Sequence, residues 1–251
     1  MAEEELIRGH AKQALQELTD KKKGWKEKSK DFLWEIVIII VAVNITLWFH
    51  SWSEKRHERE LEKNFLIGIR SDLNIVKDNL VATLTYYQQP TINYYDSVWV
   101  QMDEHRINTA FVDSNSLMLL DTRYFTYNSS RFESFKSSGY LRLIENEAVS
   151  NGITQLYTCS LPWREAADKS VFDDRQHDFT TYIGSKARID SDGKMYISKL
   201  LNNPDVKYHL FLQILMLKDM KRQKQGLIQE IDTVMTQIDQ ELKTRFKYKE
   251  K

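Results

Sequence analysis

Residues Phe32–Phe49 read FLWEIVIIIVAVNITLWF, and all eight residues from Ile36 to Val43 are apolar. A helix needs about 20 mostly apolar residues to cross the hydrocarbon core of a bilayer, and this stretch comes close to that length. The sequence therefore predicts one transmembrane helix over residues 31–52.

Large aromatic residues lie at both ends of this span, as expected where amphipathic rings sit at headgroup level. The charged segments KKKGWKEKSKD and SEKRHERE enclose it. A buried helix of a soluble protein is the alternative, but an apolar run between two charged clusters is unusual there. A cleaved signal peptide fits poorly, because the span begins far from Met1 and no small residues follow it. We predict an uncleaved signal-anchor whose membrane-contacting residues are Trp34, Glu35, Ile36, Ile40, Asn44, Trp48 and Trp52.

The basic residues around the span predict its orientation. Six lysines precede it between residues 21 and 30, and four basic residues follow it between residues 55 and 63. Because the side richer in Lys and Arg stays in the cytoplasm, we expect a single-pass protein of the inner (cell) membrane. Its N-terminus is then cytoplasmic and its main domain periplasmic.

Two polar residues interrupt the apolar span. Glu35 lies beside the aromatic residues at its start and can reach the interface. Asn44 lies deeper, where an amide can hydrogen-bond across a helix pair. Self-association or a membrane partner is one interpretation of Asn44. A position near the headgroups, or a bond to the local backbone, is the other.

Three segments follow from this layout: residues 1–30, the span at 31–52, and an extramembrane helical domain at 53–251. The first is predicted to be a cytoplasmic amphipathic segment that lies on the membrane or on a partner. A frayed tail is the alternative. The apolar residues that carry the amphipathic pattern are Leu6, Ile7, Ala11, Leu15 and Leu18.

Beyond the span, apolar residues recur at steps of three and four as far as Leu84, the pattern of one buried helical face. The transmembrane helix is therefore predicted to continue from Asp31 to about Gln88 and to end at Pro90. The chain contains only 8 glycines and 3 prolines. We predict an all-α fold, in which one N-terminal transmembrane helix continues into a helical bundle.

Further helices are predicted between these points and the C-terminus. The segment Tyr94–Phe111 favours a helix or a helical pair. Ser130 starts a capping-box pattern, so a short helix is predicted to begin there and to end at Ser138-Gly139. Other helices should begin near Asn146 and near Ser160, where Pro162 suits a first turn.

Residues 187–197 are the exception to the helical pattern. Asp192-Gly193 lies between two short apolar segments and predicts a small hairpin or a plain loop. A calcium loop does not fit, because Arg188 and Lys199 would occupy ligand positions.

The chain is predicted to be helical again from Pro204. Its apolar residues follow a near-heptad seam in which Lys224 occupies one position. We expect this seam to pack against the long first helix within the chain. An intermolecular coiled coil is the alternative.

The equal numbers of basic and acidic residues restrict the partners that the chain is expected to bind. The chain has 36 basic and 36 acidic residues, whereas general nucleic-acid binding needs a clear basic excess. The predicted partners are the lipid bilayer and either another protein or a second copy of this chain, and no nucleic acid.

The sequence contains no recognisable catalytic motif. The single cysteine, Cys159, cannot form an intrachain disulfide and is expected to be buried or half-buried. The acidic residues around His177, which include Asp174, are interpreted as a solvated helix face rather than a metal site. We predict no catalytic residue, no cofactor-binding residue, no cofactor and no metal ligand.

Clusters of aromatic residues interrupt the middle of the chain. They are predicted to be mostly core, with a ligand or partner surface as the alternative. These clusters are Tyr86-Tyr87, Tyr94-Tyr95 and Tyr124-Phe125-Thr126-Tyr127.

Two segments, Glu35–Phe65 and Phe132–Tyr157, resemble an uncharacterised bacterial family of single-span membrane proteins, a domain of unknown function. The first segment matches in its opening glutamate, its apolar span and a Trp followed by Glu-Lys-Arg. The second matches in Ser-Ser-Gly, a Leu-rich step and a helix that ends in Tyr. Trp48-Phe49-His50 departs from the family, where smaller or amide residues are usual. The resemblance implies an envelope protein with a helical periplasmic domain and no catalytic residues to carry over.

Three functions follow as hypotheses. The first is a membrane-anchored, non-enzymatic envelope protein that acts as a scaffold or protein-interaction module. The alternative is a single-span sensor or regulator of an envelope ligand or stress, which a deep, polar-lined pocket would favour. A hydrolase or metalloenzyme comes third.

Overall fold

The structure, a computed structural model, describes residues 9, 12, 25–119 and 123–248, and only the backbone of residues 25–28, 31 and 174–177. It is 83% helical, which confirms the all-α class. The chain divides into two compact units, Met1–Leu61 and Glu62–Lys251. Apart from Gly9 and Lys12, the predicted amphipathic helix over residues 1–19 lies outside the described residues.

Helix α1 spans Trp25–Ala82, and a π-helical turn, Thr83–Gln88, leads directly into helix α2, Gln89–Asp103. The prediction that Pro90 ends the helix is therefore wrong. Pro90 lies in the first turn of α2, where proline is tolerated. The wider π-helical turn before it also relieves the clash between the proline ring and the preceding turn. The chain turns only after Asp103, at His105, whose φ is 54°.

The remaining elements follow in short helices and one long one. The α-helices are α3 (Thr109–Ser114), α4 (Ser130–Ser137), α5 (Glu147–Gln155), α6 (Leu161–Asp174), α7 (Thr181–Lys186) and α8 (Pro204–Thr244). Two more π-helical turns, Leu156–Ser160 and Arg175–Thr180, join α5 to α6 and α6 to α7. The 3₁₀ turns are Ser116–Leu119, Tyr140–Leu143 and Ser198–Leu200.

Helix α4 begins and ends close to the predicted residues, but not by the predicted cap. Ser130 is its first helical residue, and the Ser130 N–H donates to Asn128 Oδ1 at 2.9 Å. The capping box is therefore absent there. Gly139, with φ 72°, follows the helix, as the Ser138-Gly139 pair predicted.

The hairpin predicted near residues 187–197 is present. Strand β1, Arg188–Ile189, pairs antiparallel with β2, Met195–Tyr196. Gly193 has φ 76° in the turn, a conformation that costs glycine little. Asp190 Oδ1 accepts hydrogen bonds from the backbone N–H groups of Asp192 and Lys194, which orders the turn.

The seam of α8 is buried within Glu62–Lys251, as the sequence predicted. Its second half packs with the part of α1 from Phe65 to Leu80 and with α4 and α5. Its first half packs with α2, α3, α7 and the hairpin. Lys224 lies on α8 between these two apolar clusters, and it is itself buried.

Gly226 provides a test of the long helix. It lies in the interior of α8, and a Cβ added there would meet nothing within 4 Å. We expect Gly226→Ala to raise the free energy of unfolding by about 0.5–1 kcal/mol, because alanine loses less backbone entropy in a helix. Urea unfolding of the full chain in mild detergent measures this.

Gly152, in α5, is the matched control for that substitution. A Cβ there would lie 3.0 Å from Val234 Cγ2, and Val234 is buried. We expect Gly152→Ala to lose the helical gain because Val234 must move. Equal stabilisation by both substitutions would contradict this account of the α5–α8 contact.

Candidate functional site

The predicted anchor residues lie on α1 within Met1–Leu61. Every large apolar side chain from Phe32 to Phe49 except Ile39 is exposed, by 36% to 63%. Trp52 is also exposed, and Glu35 is half-buried. Among the described residues, one helix is long and apolar enough to cross a membrane; its most apolar window has a mean hydropathy of 2.3 and none of it is buried.

Asn44 forms a bond to its own helix. Its Nδ2 donates to the carbonyl of Ile40 at 2.7 Å. Thr46 does the same, since its Oγ1 donates to the carbonyl of Ala42 at 3.0 Å. Of the two interpretations of Asn44, the local backbone bond is the one the structure contains.

A buried ionic cluster lies in the second unit, where α6 meets α8. We define it by Arg164, Asp168 and Lys224, whose side chains are at most 3% exposed. Arg164 Nη2 lies 2.6 Å from Asp168 Oδ1, and Lys224 Nζ lies 2.8 Å from Asp168 Oδ2. One carboxylate therefore faces two cations in the interior.

Two other segments and Gln223 of α8 contribute hydrogen bonds to the cluster. The backbone N–H of Phe125 donates to Asp168 Oδ2 at 3.2 Å. Arg164 Nη1 donates to Gln223 Oε1. Lys224 Nζ donates to Gln88 Oε1 at 3.4 Å, and Gln88 Nε2 donates to the carbonyl of Leu217 at 2.8 Å. The π-helical turn before α2 is what presents Gln88 to α8.

The pKa of Lys224 is lowered from its ordinary value. Burial lowers the pKa of its ammonium group, while the charge and hydrogen bond of Asp168 oppose that shift, and the charge of Arg164 adds to it.

A small cavity of about 40 Å³ opens beside this cluster. One wall is polar and includes Asp168 and Lys224; the other is apolar. At its mouth the guanidinium of Arg123 lies 3.6 Å from the ring centroid of Tyr87, a cation–π contact. The lining residues are Thr83, Tyr87, Gln88, Thr91, Arg123, Asp168, Val171, Phe172, Leu217, Met220 and Lys224.

In the sequence, Lys224 is a polar break in an apolar seam, and no pattern indicates its partners. The spacing of Arg164 and Asp168, four residues apart on a helix, is a signal for a local ion pair. Such pairs are common on surfaces, however, and nothing in the spacing indicates that this one is buried.

A second buried carboxylate lies at the start of Glu62–Lys251. Glu62 Oε1 is 2.6 Å from Arg245 Nη1, and Glu145 and Glu241 also pair with Arg245. Burial raises the pKa of Glu62 above its ordinary value, and Arg245 opposes the shift without cancelling it.

A pH dependence of stability follows from Glu62. The pKa of Glu62 in the folded chain is higher than its ordinary value of 4.5. At pH values between the ordinary and the raised pKa, the folded chain therefore binds more protons than the unfolded chain. The stability that Glu62 contributes is present below that window and is lost as pH rises through it. We expect wild type to lose free energy of unfolding relative to Glu62→Gln as the pH rises from 4.5 towards neutrality.

Urea unfolding of both proteins in mild detergent across that range measures the difference. Glu104→Gln, at an exposed position that ends α2, is the control and should show a flat difference. A difference for Glu62→Gln that grows in the opposite direction would contradict the raised pKa.

The structure shows the burial of Cys159 and of the aromatic clusters. Cys159 is exposed, so the prediction that it is buried or half-buried is wrong. Tyr94, Tyr95 and Phe125 are core residues, whereas Tyr86 is 72% exposed. The aromatic clusters are therefore partly core and partly exposed.

Within the described part of the chain, no group of three or more His, Cys, Asp and Glu residues could hold a metal ion. The side chains of Asp174 and His177 lie outside the described residues.

Comparison with known proteins adds nothing to this geometry: no family model, curated protein sequence or solved structure matches the chain.

Proposed function

We propose that this chain is a membrane-anchored, non-enzymatic protein of the cell envelope that acts as a scaffold or protein-interaction module. The observation that carries the proposal is the exposed apolar surface of α1 between Phe32 and Phe49. A contiguous apolar surface of this extent is unfavourable in water. Lipid is the partner that matches its length, its aromatic ends and its charged flanks.

The lysine excess before the span supports an orientation with a cytoplasmic N-terminus. Residues 53–251 then lie outside the inner membrane, in the periplasm. The resemblance to single-span envelope proteins points the same way. A cysteine-accessibility experiment in intact cells distinguishes the two sides of the membrane. It compares Ser53→Cys with Ser29→Cys, each in a Cys159→Ser background, and the proposed orientation predicts labelling of Ser53→Cys only. Labelling of Ser29→Cys alone would indicate the opposite orientation.

Exposed apolar side chains in the unit Glu62–Lys251 support the proposal that the protein binds another protein. On α8, Tyr208, Phe211 and Leu215 are exposed by 61%, 42% and 50%. They lie three and four residues apart, so they share one helical face. Phe211 also contacts Trp99 of α2, with ring centroids 5.6 Å apart. Exposed aromatic residues grouped in this way are typical of protein-contacting surfaces.

Site-specific photocrosslinking in cells tests this surface. A photoreactive amino acid at Phe211 is expected to trap one specific partner or a homo-oligomer. The same amino acid at Asp192, in the exposed hairpin turn, is the control and should give no product. If neither position gives a crosslinked product, the protein is a monomer without neighbours, and the scaffold function is contradicted.

A second candidate function, a sensor or regulator, is favoured by one observation. The cavity beside Lys224 is small and partly polar, and it contains buried charge. Buried charge beside a cavity is a feature that a site for a very small charged ligand requires. Ligand binding to it, rather than crosslinking, is the test of this candidate.

A further inference from the structure

We propose that the cavity beside Lys224 binds a small organic carboxylate, with its charged head on Lys224 and its apolar part against Phe172, Leu217 and Met220. The inference deepens the second candidate function, because it supplies the class of ligand that a sensor would detect. It does not depend on the scaffold function or on the membrane anchor.

The ammonium group of Lys224 has more N–H donors than acceptors around it. An ammonium group has three N–H donors. Asp168 accepts one at 2.8 Å, and Gln88 accepts a second only at 3.4 Å. Within the described part of the chain, the third N–H has no acceptor, although the side chain is 2% exposed and lines the cavity. A buried donor of this kind is costly unless a ligand or solvent accepts it.

The ionic cluster carries a net positive charge. Arg164 and Lys224 share Asp168, so these three buried groups carry one positive charge in excess. A monovalent anion in the cavity neutralises that excess in a low-dielectric site, where the attraction is strong. A cation or a neutral ligand would leave it uncompensated.

The size and lining of the cavity select the class of anion. A volume of about 40 Å³ corresponds to roughly two to four water molecules, which suits the three heavy atoms of a carboxylate group. Phosphate, with four oxygens and more charge, needs more donors than Lys224 offers. The apolar wall favours a short hydrocarbon body beyond the carboxylate.

Arg123 at the mouth adds the second contact. Its guanidinium packs over Tyr87 and lines the cavity. In the proposed complex Arg123 contacts the outer oxygen of the carboxylate that Lys224 holds, and Tyr87 and Phe172 also line the cavity. The site therefore joins α8, the π-helical turn and the segment that precedes α4.

The test uses the full chain in mild detergent, with sodium propionate as the probe and propionamide as its neutral isostere. Isothermal titration and the shift of the thermal midpoint should both report binding of propionate and not of propionamide. Lys224→Met should weaken propionate binding by at least tenfold. Arg123→Gln, at an exposed position, should weaken it by a smaller factor.

These variants are chosen to remain folded. Lys224→Met leaves Arg164 and Asp168 as a balanced pair, and Arg123→Gln changes a surface residue. Lys199→Gln, at an exposed position after the hairpin, removes the same charge elsewhere and should leave binding unchanged.

Three outcomes would overturn the inference: no propionate binding by wild type, equal binding of propionamide, or binding that neither Lys224→Met nor Arg123→Gln weakens. Preference for inorganic phosphate over propionate would overturn the assignment of a carboxylate. Because membrane association is measured separately, failure here leaves the scaffold proposal intact.

Discussion

The double substitution Ile38→Arg with Ile40→Arg is expected to remove this protein from the membrane fraction. Both side chains are more than half exposed on α1, near the middle of the predicted span. An arginine at the centre of a transmembrane helix costs about 2.5–3.5 kcal/mol on insertion scales. Two of them cost about 5–7 kcal/mol, which shifts the partition between lipid and water by several orders of magnitude.

The measurement is sedimentation after alkaline carbonate extraction of cell membranes. Wild type should pellet with the membranes, and the double variant should stay in the supernatant or be degraded. Ile75→Arg is the matched control, because Ile75 and Ile38 are both 56% exposed and both lie on α1. It should pellet like wild type.

Two results would contradict the anchor. One is wild-type protein that stays dissolved without detergent after gentle lysis and ultracentrifugation. The other is a double variant that remains resistant to carbonate. Either would mean that another protein, and not lipid, covers the exposed apolar face of α1.

The second large effect is expected for Asp168→Ala. This substitution leaves Arg164 and Lys224 buried without their shared carboxylate, and it leaves the N–H of Phe125 without its acceptor. Breaking a buried ion pair from one side costs about 3–5 kcal/mol. We expect a loss of that size in the free energy of unfolding, measured by urea unfolding in mild detergent and near-UV circular dichroism.

Asp96→Ala is the matched control for this loss. Asp96 pairs with Lys218 at 2.8 Å, the same distance as the pair of Asp168 and Lys224, but both side chains are more than 40% exposed. Surface pairs contribute about 0–1 kcal/mol. Equal losses in both variants would contradict the buried environment of Asp168.

A triple apolar variant separates stability from function. Arg164→Leu, Asp168→Leu and Lys224→Met together remove all three charges, and such replacements are often neutral or stabilising by about 1–4 kcal/mol. We expect the triple variant to be more stable than Asp168→Ala, because it leaves no buried charge unpaired. If it also loses propionate binding, the charged cluster serves recognition and not stability.

Much of this architecture follows from local patterns in the sequence. The mostly apolar stretch Phe32–Phe49 comes close to the length of a span, and the three- and four-residue spacing beyond it indicates one buried helical face. Asp192-Gly193 between apolar pairs predicted the hairpin, and the seam of α8 predicted which face of that helix is buried. These features depend on residues close to one another along the chain, so the sequence alone determined them.

The path of the chain at Pro90 and the surroundings of Lys224 were decided only by the tertiary structure. Proline usually ends a helix, yet here the π-helical turn accommodates it, and that turn also brings Gln88 to α8. Lys224 appeared in the sequence as a polar break in an apolar seam. Its partners, Asp168 and Gln88, lie on other helices far along the chain. Hydrophobic periodicity encodes which face is buried, but not which residue from a distant segment lies opposite it, because that depends on how the packed helices pair.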